Sequence, residues 1–524
     1  MTLLKPDERK LADAIATVAY SNPFLPERIA AERAALGDAF VETDAVWHAR
    51  AGVHAVTPNI ALLTQRAATL AETVRARCVE NAAAARSVSR AELEAYEDLV
   101  LFAIYHELED RILTTIRDRF DSTEMRSARV PYFREFLARY QHFFALPNLS
   151  QSEARLPTEA EASHIFAIFF VLRRAFFQIF YHLVGSSMAM ARLRASAWQS
   201  IFTHDMRRFR HALYNRMADV TTLITGPSGT GKELVARAIG LSRYVPFDAK
   251  SLEFVDDFAG SCHALNLAAL SGTLIESELF GHRRGSFTGA LDDHAGWFEV
   301  CGEYGSVFLD EIGELDAAIQ VKLLRLLQTR SFQRIGDTTS LVFKGKLIAA
   351  TNRDLAVELH NGRFRDDFYY RLCADRIVTP SLAEQLAGNP GELHDLLLFI
   401  SRRVLGDESE SLAAEVEEWI AKNLSDNYPW PGNFRELEQC VRNIMVRGSY
   451  TPVAAAGGGV RERLKQEFIT GQHSAEEMLR RYCTLIYLAC GSYEETARRL
   501  SIDRRTVKTK VDPDLLDELR GGTG

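Results

Sequence analysis

Two short groups of residues have the types and spacing that phosphate chemistry requires. The first is a glycine-rich loop ending in lysine: Gly226, Pro227, Ser228, Gly229, Thr230, Gly231 and Lys232. Such a loop directs backbone N–H groups at phosphates, and its lysine neutralises charge at the β and γ positions. In the second group, Asp310 is suited to holding magnesium and Glu311 to polarising a water molecule. Glu233 stands where the general loop motif has Ser or Thr, which puts magnesium ligation from that position in question.

The flanking residues predict the elements that must position these groups. Thr221–Thr225 is β-branched and apolar, which predicts a buried strand entering the loop, and Glu233–Arg237 continues as a helix. Val307–Glu311 is an apolar strand that ends in the two acids. Leu347–Thr351 is another apolar strand, and it ends at Asn352, which is placed to sense the γ-phosphate. Strand, loop and helix in this order favour a nucleotide-binding loop.

Six motifs in this order resemble the bacterial enhancer-binding activators of sigma-54 RNA polymerase, a branch of the AAA+ ATPases. They are GPSGTGKE, IESELFGHRRGSFTGA, FLDEIGELD, LIAATNRDL, GRFRDDFYYRL and YPWPGNFREL. The resemblance implies ATP and Mg²⁺ as cofactors, with Asp310 as the magnesium residue, and sigma-54 RNA polymerase as the partner. It also implies that the active unit is a homo-oligomeric ring, typically a hexamer.

The same resemblance implies roles for further residues. Arg365 and Arg371 correspond to arginine fingers that reach into the neighbouring subunit's nucleotide site. Arg435 corresponds to the lid arginine that reads the γ-phosphate within its own subunit. Asn266 corresponds to a residue that holds Glu311 away from water until nucleotide and partner are aligned.

A loop between the two halves of the site is implied to contact sigma-54. It consists of Gly285, Ser286, Phe287, Thr288, Gly289 and Ala290. By itself the stretch reads as a surface turn, because glycine tolerates turn conformations and phenylalanine adds an apolar contact. By resemblance, Phe287 and Thr288 press on sigma-54 when the nucleotide state moves the loop. Two features depart from the family: Ser286 stands in place of Ala, and residues 378–385 replace two prolines and a charged run.

The C-terminal fifty residues resemble the Fis-type helix-turn-helix that ends sigma-54 activators. Capping boxes at Ser474–Glu477 and Ser492–Glu495 predict two helix starts, and Gly491 separates the helices. The first helix has a predicted apolar face of Met478, Tyr482, Leu485 and Leu488. The last helix carries the predicted DNA contacts Arg504, Arg505, Thr506 and Lys508. The residues alone fit a solvated basic helix equally well, and the resemblance favours binding to an upstream, enhancer-like site in double-stranded DNA.

Residues 1–198 are predicted to be mostly helical, with helix starts at Ser89–Glu92 and Thr158–Glu161. The apolar stretch Ile165–Val184 is interrupted by charged side chains, which favours a buried helix over a membrane span. Phenylalanines at helical spacing in this stretch favour a core over a ligand pocket. Glu161 and His164 have the spacing of half a bundle metal site, but its partner motif is missing. By resemblance, the region senses a signal and restrains or licenses the ATPase.

The composition of the chain limits its possible partners and indicates its redox environment. The net charge of −8 argues against indiscriminate nucleic-acid binding, and seven cysteines without paired spacing indicate reduced thiols in a cytoplasmic protein. The predicted fold class is multidomain α/β. Its predicted parts are a mostly helical regulatory domain (1–198), an AAA+ P-loop core (199–378), a helical lid (379–450), a linker (451–473) and a three-helix helix-turn-helix domain (474–524).

The predicted function is that of an ATP-dependent transcription activator that binds upstream DNA, forms a ring and remodels sigma-54 RNA polymerase to open promoters. One alternative is a DNA-binding regulator or scaffold whose ATPase no longer remodels sigma-54, supported by Ser286 and the altered 378–385 segment. Another is a general AAA+ remodeller that acts on a different protein.

Overall fold

The chain folds into two compact units, Met1–Val441 and Arg442–Gly524. The computed structural model describes residues 2–42, 58–80, 86–122, 129–146, 149–150, 155–389, 391–425, 428–452, 474–513, 515–516 and 519. The predicted boundaries after residues 198 and 378 lie inside the first unit and stay predictions. The predicted linker glycines at 457–459 lie outside the described residues.

Helices dominate the first unit, and a parallel sheet lies within it. The α-helices are α1 (Pro6–Tyr20), α2 (Pro26–Leu36), α3 (Pro58–Glu80), α4 (Arg90–Asp121), α5 (Phe133–Phe144), α6 (Ala162–His182), α7 (Met188–Phe202), α8 (Met206–Arg208), α9 (Lys232–Gly240), α10 (Gly272–Phe280), α11 (Trp297–Val300), α12 (Ala317–Thr329), α13 (Leu355–His360), α14 (Asp366–Leu372), α15 (Leu382–Ala387), α16 (Glu392–Leu405), α17 (Ser409–Asn423) and α18 (Asn433–Arg447). The strands are β1 (Arg86–Ser87), β2 (Leu149–Ser150), β3 (Thr222–Thr225), β4 (Phe247–Asp248), β5 (Glu253–Phe254), β6 (Cys262–Asn266), β7 (Ser306–Asp310), β8 (Ser331–Phe332), β9 (Leu341–Val342), β10 (Lys346–Thr351) and β11 (Asp375–Val378).

The central sheet has the order β11-β3-β10-β7-β6, with every neighbouring pair parallel. Successive side chains of a strand point to opposite faces, and here both faces are covered. Leu223, Val307 and Leu347 belong to the core on one face, which α10, α12 and α14 complete. Ile224 and Phe308 belong to the core on the other face, which includes α9. Coverage on both sides explains why these strands are apolar at nearly every position.

The N-terminal helices share one hydrophobic core with the sheet. The predicted capping boxes at Ser89 and Thr158 are confirmed and start α4 and the 3₁₀ turn before α6. The ring of Phe166 packs against that of Phe247 at 4.9 Å between centroids, and Phe170 packs against Phe254 at 4.8 Å. The β4–β5 hairpin thereby holds α6 against the sheet-bearing part, so the core is continuous.

The helix at Glu159–His182 is the one helix of the described residues that is long and apolar enough to cross a membrane. Phe166, Phe169 and Phe177 are buried within the protein, and α6 packs against α9. The predicted buried core helix is therefore confirmed. Nδ1 of His164 accepts from the Tyr244 hydroxyl at 2.8 Å and Nε2 donates to the Arg210 carbonyl at 2.7 Å, so this histidine is already satisfied.

The second unit contains α19 (Ala475–Cys490), α20 (Tyr493–Leu500) and α21 (Arg504–Lys510). The predicted capping box at Ser474 and the break at Gly491, with φ of 67°, are confirmed. Ser492 caps α20 by accepting the N–H of Glu495, which forms one of the two bonds of the predicted capping box. Leu485 and Leu488 pack against Leu515 and Leu519, as a helical apolar face requires.

The prediction for Tyr482 is wrong, because its side chain is 46% exposed. The buried side of α19 instead carries Cys483 and Thr484, and the Thr484 hydroxyl accepts the N–H of Asp512 at 2.9 Å. Small side chains occupy this side because α20 and α21 both pack closely against α19.

Candidate functional site

A cavity of about 330 Å³ lies at the carboxyl end of β3 and β7. Four parts of the first unit line it: the glycine-rich loop with the start of α9, the acids after β7, the segment from the end of α6 into α7, and α16 with the start of α18. Ligands of open α/β sheets bind at this edge of the strands. The structure thus brings the predicted loop and the predicted acids into one cavity.

Glycine is sterically required at two positions of the loop. A Cβ on Gly226, whose φ is +150°, would lie 2.2 Å from Oγ1 of Thr379. A Cβ on Gly229, whose φ is +77°, would lie 2.3 Å from the Gly432 carbonyl oxygen. The loop is therefore packed against two segments from far along the chain, and only glycine permits the close approach.

The altered 378–385 segment is tied directly to the loop. The Thr379 hydroxyl lies 2.7 Å from the Thr230 hydroxyl, and the Thr379 N–H donates to the Thr225 carbonyl at 2.8 Å. Ser381 then caps α15 through a capping box with Glu384. The departure from the family pattern therefore preserves an ordered connection between the loop and the following helices.

Lys232 is the first residue of α9 and lies almost completely inside the cavity wall. Its Nζ donates to the carbonyls of Gly226 and Pro227, both at 3.0 Å. Burial lowers the pKa of Lys232, whereas the nearby charges of Glu311 and Asp310 act in the opposite direction. An amine held at the loop mouth beside two acids is suited to exchange its carbonyl partners for phosphate oxygens.

The two acids follow β7 in an unusual backbone conformation. Asp310 ends the strand, and Glu311 has φ of +58°, which is rare for a residue with a side chain. Glu311 donates its N–H to Asp310 at 3.1 Å and accepts the N–H of Asn352 at 3.3 Å through Oε2. Strain of this kind clusters at functional sites, because it aims a side chain in a way that relaxed backbone does not.

The donor set at the acids fits a magnesium ion held together with phosphates. Burial and the charge of Glu311 raise the pKa of Asp310, and a nearby cation would relieve both effects. The described residues contain no group of three or more side chains that would hold a metal alone. Magnesium is typically bound by one or two carboxylates with water and substrate phosphates, so a sparse protein donor set is what this ion requires.

Of the two asparagines predicted to act at the site, the structure places Asn352 beside Glu311 and gives Asn266 a different partner. Asn352 follows β10 directly beside Glu311 through its backbone. Asn266 ends β6 and pairs in register with Asp310, but its Oδ1 accepts the N–H of Ala268 at 3.0 Å. Within the described residues, Asn266 forms no hydrogen bond with Glu311, so the structure does not show the implied restraint.

Arg435 lines the cavity, whereas Arg365 and Arg371 do not. The Arg435 guanidinium donates to the Ser228 hydroxyl at 3.2 Å. Arg365 and Arg371 are exposed near and on α14, and Arg365 forms an ion pair with Asp367 at 2.8 Å. These two arginines are therefore available on the surface and contribute nothing to the cavity of their own chain.

Sequence reasoning missed Asn433 and the apolar walls of the cavity. Asn433 donates through Nδ2 to the Ser228 carbonyl at 2.9 Å and accepts the N–H of Leu382 through Oδ1 at 2.8 Å. The apolar walls come from Leu183 and Val184 on one side and from α16 on the other. Asn433 lies within the quoted YPWPGNFREL motif, but nothing in the sequence pairs the walls with the loop.

The predicted sigma-54 loop is a tight, partly exposed turn. The Gly285 N–H donates to the Ala290 carbonyl at 2.8 Å, and the Phe287 ring meets His282 edge-on at 4.9 Å between centroids. Thr288 is exposed at the tip. Because a Cβ on Gly285 would meet open space, its φ of +79° is the reason for glycine there.

Ser286, the irregular residue of this loop, is packed inward. Its hydroxyl is buried and has no hydrogen-bond partner in the described part of the chain. A Cβ on Gly336 would lie 2.7 Å from the Ser286 Cβ, so the two segments touch. Arg283 pairs with Asp293 at 2.5 Å and with Asp337 at 2.8 Å, which fixes the base of the loop. The Ser286 hydroxyl therefore lies in the support of the loop, whereas Thr288 is exposed at the tip.

In the second unit, Arg504, Arg505, Thr506 and Lys508 are all exposed on α21. Val507 is buried between them and anchors the helix, and Asp503 caps it by accepting the N–H of Arg505 at 2.7 Å. Arg504 forms an ion pair with Glu494 at 2.9 Å. The helix thus presents a polar, largely basic face to solvent.

Comparison with known proteins finds a match for the part that contains the glycine-rich loop, the two acids and the loop at 285–290. Residues 202–378 match the family described as the sigma-54 interaction domain. This segment is therefore similar to a sigma-54 interaction domain. Its parallel sheet and glycine-rich loop form a P-loop-like α/β fold.

Several transcription regulators match this chain over stretches longer than the sigma-54 interaction domain. The transcriptional regulatory protein ZraR of Klebsiella oxytoca is 38% identical over 305 residues, which cover 56% of this chain and 63% of ZraR. The anaerobic nitric oxide reductase transcription regulator NorR of Klebsiella pneumoniae (strain 342) is 41% identical over 235 residues, covering 44% of this chain and 41% of NorR. The chain therefore matches less than two thirds of the length of these relatives. The crystal structure of NtrX from Brucella abortus in complex with ATP aligns with a TM-score of 0.38 and 21% identity over 70% of this chain and 77% of NtrX.

Proposed function

We propose that this chain is an ATP-driven transcription activator that acts on sigma-54 RNA polymerase from an upstream DNA site in the cytoplasm. The observation that carries the proposal is the placement of two features on the segment that matches the sigma-54 interaction domain. These are the cavity residues Lys232, Asp310 and Glu311, and an exposed loop tip at Thr288. A hydrolytic site and a protein-contact loop on one domain suit the conversion of ATP turnover into mechanical work.

The cavity residues have complementary tasks in hydrolysis. The loop N–H groups and Lys232 bind the phosphates, and Asp310 would hold magnesium, which supplies positive charge to the phosphate oxygens. Glu311 orients the attacking water and takes its proton. Asn352 lies beside Glu311, where it senses the γ-phosphate. Arg435, which already contacts the loop, reaches the phosphates from the lid.

Residues outside the cavity are assigned to assembly and control. Arg365 and Arg371 act on the neighbouring subunit's nucleotide in a ring, typically a hexamer, because they are exposed away from their own cavity. In that step Arg365 exchanges its Asp367 partner for phosphate oxygens. Asn266 restrains Glu311 only in a state where its side chain leaves the Ala268 N–H. The N-terminal helices regulate the ATPase through the core they share with it.

Replacing Thr288 with alanine is expected to abolish ATP-dependent open-complex formation on a sigma-54 promoter while ATP turnover stays within about twofold of the wild type. The side chain is exposed at the loop tip, so its removal leaves the fold and the cavity intact. Open complexes are measured by promoter DNA melting in a reconstituted transcription assay, in parallel with phosphate release.

Thr273→Ala is the matched control, because Thr273 is an exposed threonine of the same domain, at the start of α10. It should leave both readouts unchanged. Unaltered promoter opening by Thr288→Ala would contradict the loop assignment. Normal ATP turnover by the wild type without any promoter opening would instead favour the alternative of a DNA-bound regulator that no longer remodels sigma-54. The buried Ser286 hydroxyl, at the base of the loop, is the structural feature that supports this alternative.

Arg505→Ala is expected to weaken binding to the upstream DNA site by about 1–3 kcal/mol at fixed salt, the range for loss of a base contact. Arg505 is exposed in the first turn of α21, where a recognition helix contacts base edges. Fluorescence anisotropy with the target duplex gives the affinity, and Lys422→Ala, an exposed lysine on α17, is the control. Equal affinities of wild type and Arg505→Ala would argue against α21 as the DNA reader.

A further inference from the structure

Asn433 lies behind the glycine-rich loop and joins it to two helices. It is the first residue of α18, and it is buried outside the cavity wall. Its Nδ2 donates to the Ser228 carbonyl at 2.9 Å, and its Oδ1 accepts the N–H of Leu382, the first residue of α15, at 2.8 Å. One side chain therefore connects the loop, α15 and α18.

Two requirements select asparagine at this position. The partner on one side is a carbonyl and the partner on the other is an N–H, so the side chain must supply both a donor and an acceptor. A carboxamide does so, whereas a carboxylate only accepts. The backbone of Asn433 also has φ of +52°, in the left-handed region where asparagine is several-fold enriched among residues with a side chain. Glycine would tolerate this backbone but would form neither bond.

The bond to Ser228 fixes the direction in which the loop peptides face. In a trans peptide the C=O and the following N–H point in opposite directions. Asn433 holds the Ser228 carbonyl, and the N–H of Phe434 donates to the Gly229 carbonyl at 3.0 Å. The N–H groups of Gly229 and Thr230 therefore point away from the start of α18, and within the described ranges neither donates to a protein acceptor. Both residues line the cavity, so these N–H groups are left for phosphate oxygens.

We propose that Asn433 is a positioning residue of the nucleotide site, whose carboxamide holds the Ser228 peptide in the orientation that phosphate binding needs and ties it to α15. The inference rests on the proposed ATP turnover at this cavity. Asn433 acts through the loop, since it lies outside the cavity wall. Without its donor the Ser228 carbonyl loses its partner and the peptide can turn. Nucleotide binding must then restore the orientation at a cost in free energy, which lowers affinity.

Asn433→Asp removes the donor and changes little else. The carboxylate has nearly the same size, still accepts the Leu382 N–H and tolerates positive φ, but it repels the Ser228 carbonyl. We expect KM for ATP to rise about tenfold and the affinity for ADP to fall about tenfold, the effect of leaving one buried acceptor unpaired. The value of kcat should stay within about threefold, because reorienting the peptide costs the same for bound ATP and for the transition state.

The split between KM and kcat separates a positioning role from a structural one. Steady-state phosphate release gives both constants, and competition against a fluorescent ADP analogue gives the affinities. A variant that only folds less well loses active protein, which lowers kcat and leaves KM unchanged. Asn423→Asp is the matched control, because Asn423 is an exposed asparagine of α17 whose Nδ2 donates to the Trp419 carbonyl at 2.8 Å, outside the cavity. It should match the wild type in both constants.

An unchanged KM in a folded Asn433→Asp variant, or a fall in kcat alone, would overturn the inference. If the aspartate variant does not fold, Asn433→Gly replaces it, because glycine tolerates φ of +52° and removes both bonds. Its KM should rise in the same way, and an unchanged KM would again overturn the inference. Failure of the wild type to bind ATP would refute the proposed function itself, whereas normal ATP binding by the wild type and the variants refutes only the role of Asn433.

Discussion

The Lys232→Ala variant is expected to hydrolyse ATP on the order of 10²–10³-fold more slowly than the wild type, as measured by kcat/KM. Lys232 is a buried cation of the cavity, and its amine lies 3.0 Å from two loop carbonyls at the mouth of the phosphate site. Removal leaves the phosphates facing Asp310 and Glu311 without the charge that offsets repulsion. Both nucleotide binding and the transition state lose stabilisation, so KM should rise while kcat falls.

Steady-state phosphate release gives both constants, and thermal unfolding checks that the variant folds. Because burial lowers the pKa of Lys232, the folded protein gains nothing from the charged amine in the absence of nucleotide. The unfolding temperature of the variant without nucleotide should therefore stay close to that of the wild type, and stabilisation by ATP should disappear. Lys344→Ala is the control, since Lys344 is an exposed lysine paired with Glu303 outside the cavity. An unchanged kcat/KM in Lys232→Ala would remove the cavity from the catalytic scheme.

The Glu311→Gln variant is expected to bind ATP with near wild-type affinity and to hydrolyse it about 10²–10⁴-fold more slowly, the range for loss of a general base. Glutamine keeps the length of the side chain, and its Oε1 can still accept the Asn352 N–H that Glu311 accepts at 3.3 Å. Glutamate and glutamine both have a side chain, so the backbone strain at φ of +58° is the same in the variant and in the wild type. The loss should therefore appear in kcat with little change in KM.

Two measurements separate this result from a general defect. Competition binding should show ATP affinity within about threefold of the wild type, and a single-turnover experiment should place the loss in the chemical step. Glu303→Gln, a change at an exposed glutamate, should behave as the wild type. A Glu311→Gln variant that hydrolyses ATP normally would show that another group activates the water, and a variant that no longer binds ATP would assign Glu311 to binding.

Local chemistry made much of the fold predictable. The caps at Ser89, Ser474 and Ser492 are confirmed because a capping side chain bonds backbone within its own turn. The apolar strands around Leu223 and Val307 are confirmed because burial on both faces requires apolar residues throughout. Tyr482 shows the limit of this reasoning: helical spacing gives one face, but neighbouring helices decide which face is covered.

The sequence by itself determined the chemistry of the site: the glycine-rich loop, Lys232, and the adjacent acids Asp310 and Glu311, all within the segment that matches the sigma-54 interaction domain. Only the tertiary structure decided what surrounds that chemistry. Thr379 meets Thr230 across 149 residues of chain, and Asn433 meets the loop across 205. The apolar walls of the cavity join the residues after α6 to α16 in the same way. The physical reason is that a motif is encoded by the spacing of neighbours along the chain, whereas a cavity wall depends on which distant surfaces bury each other.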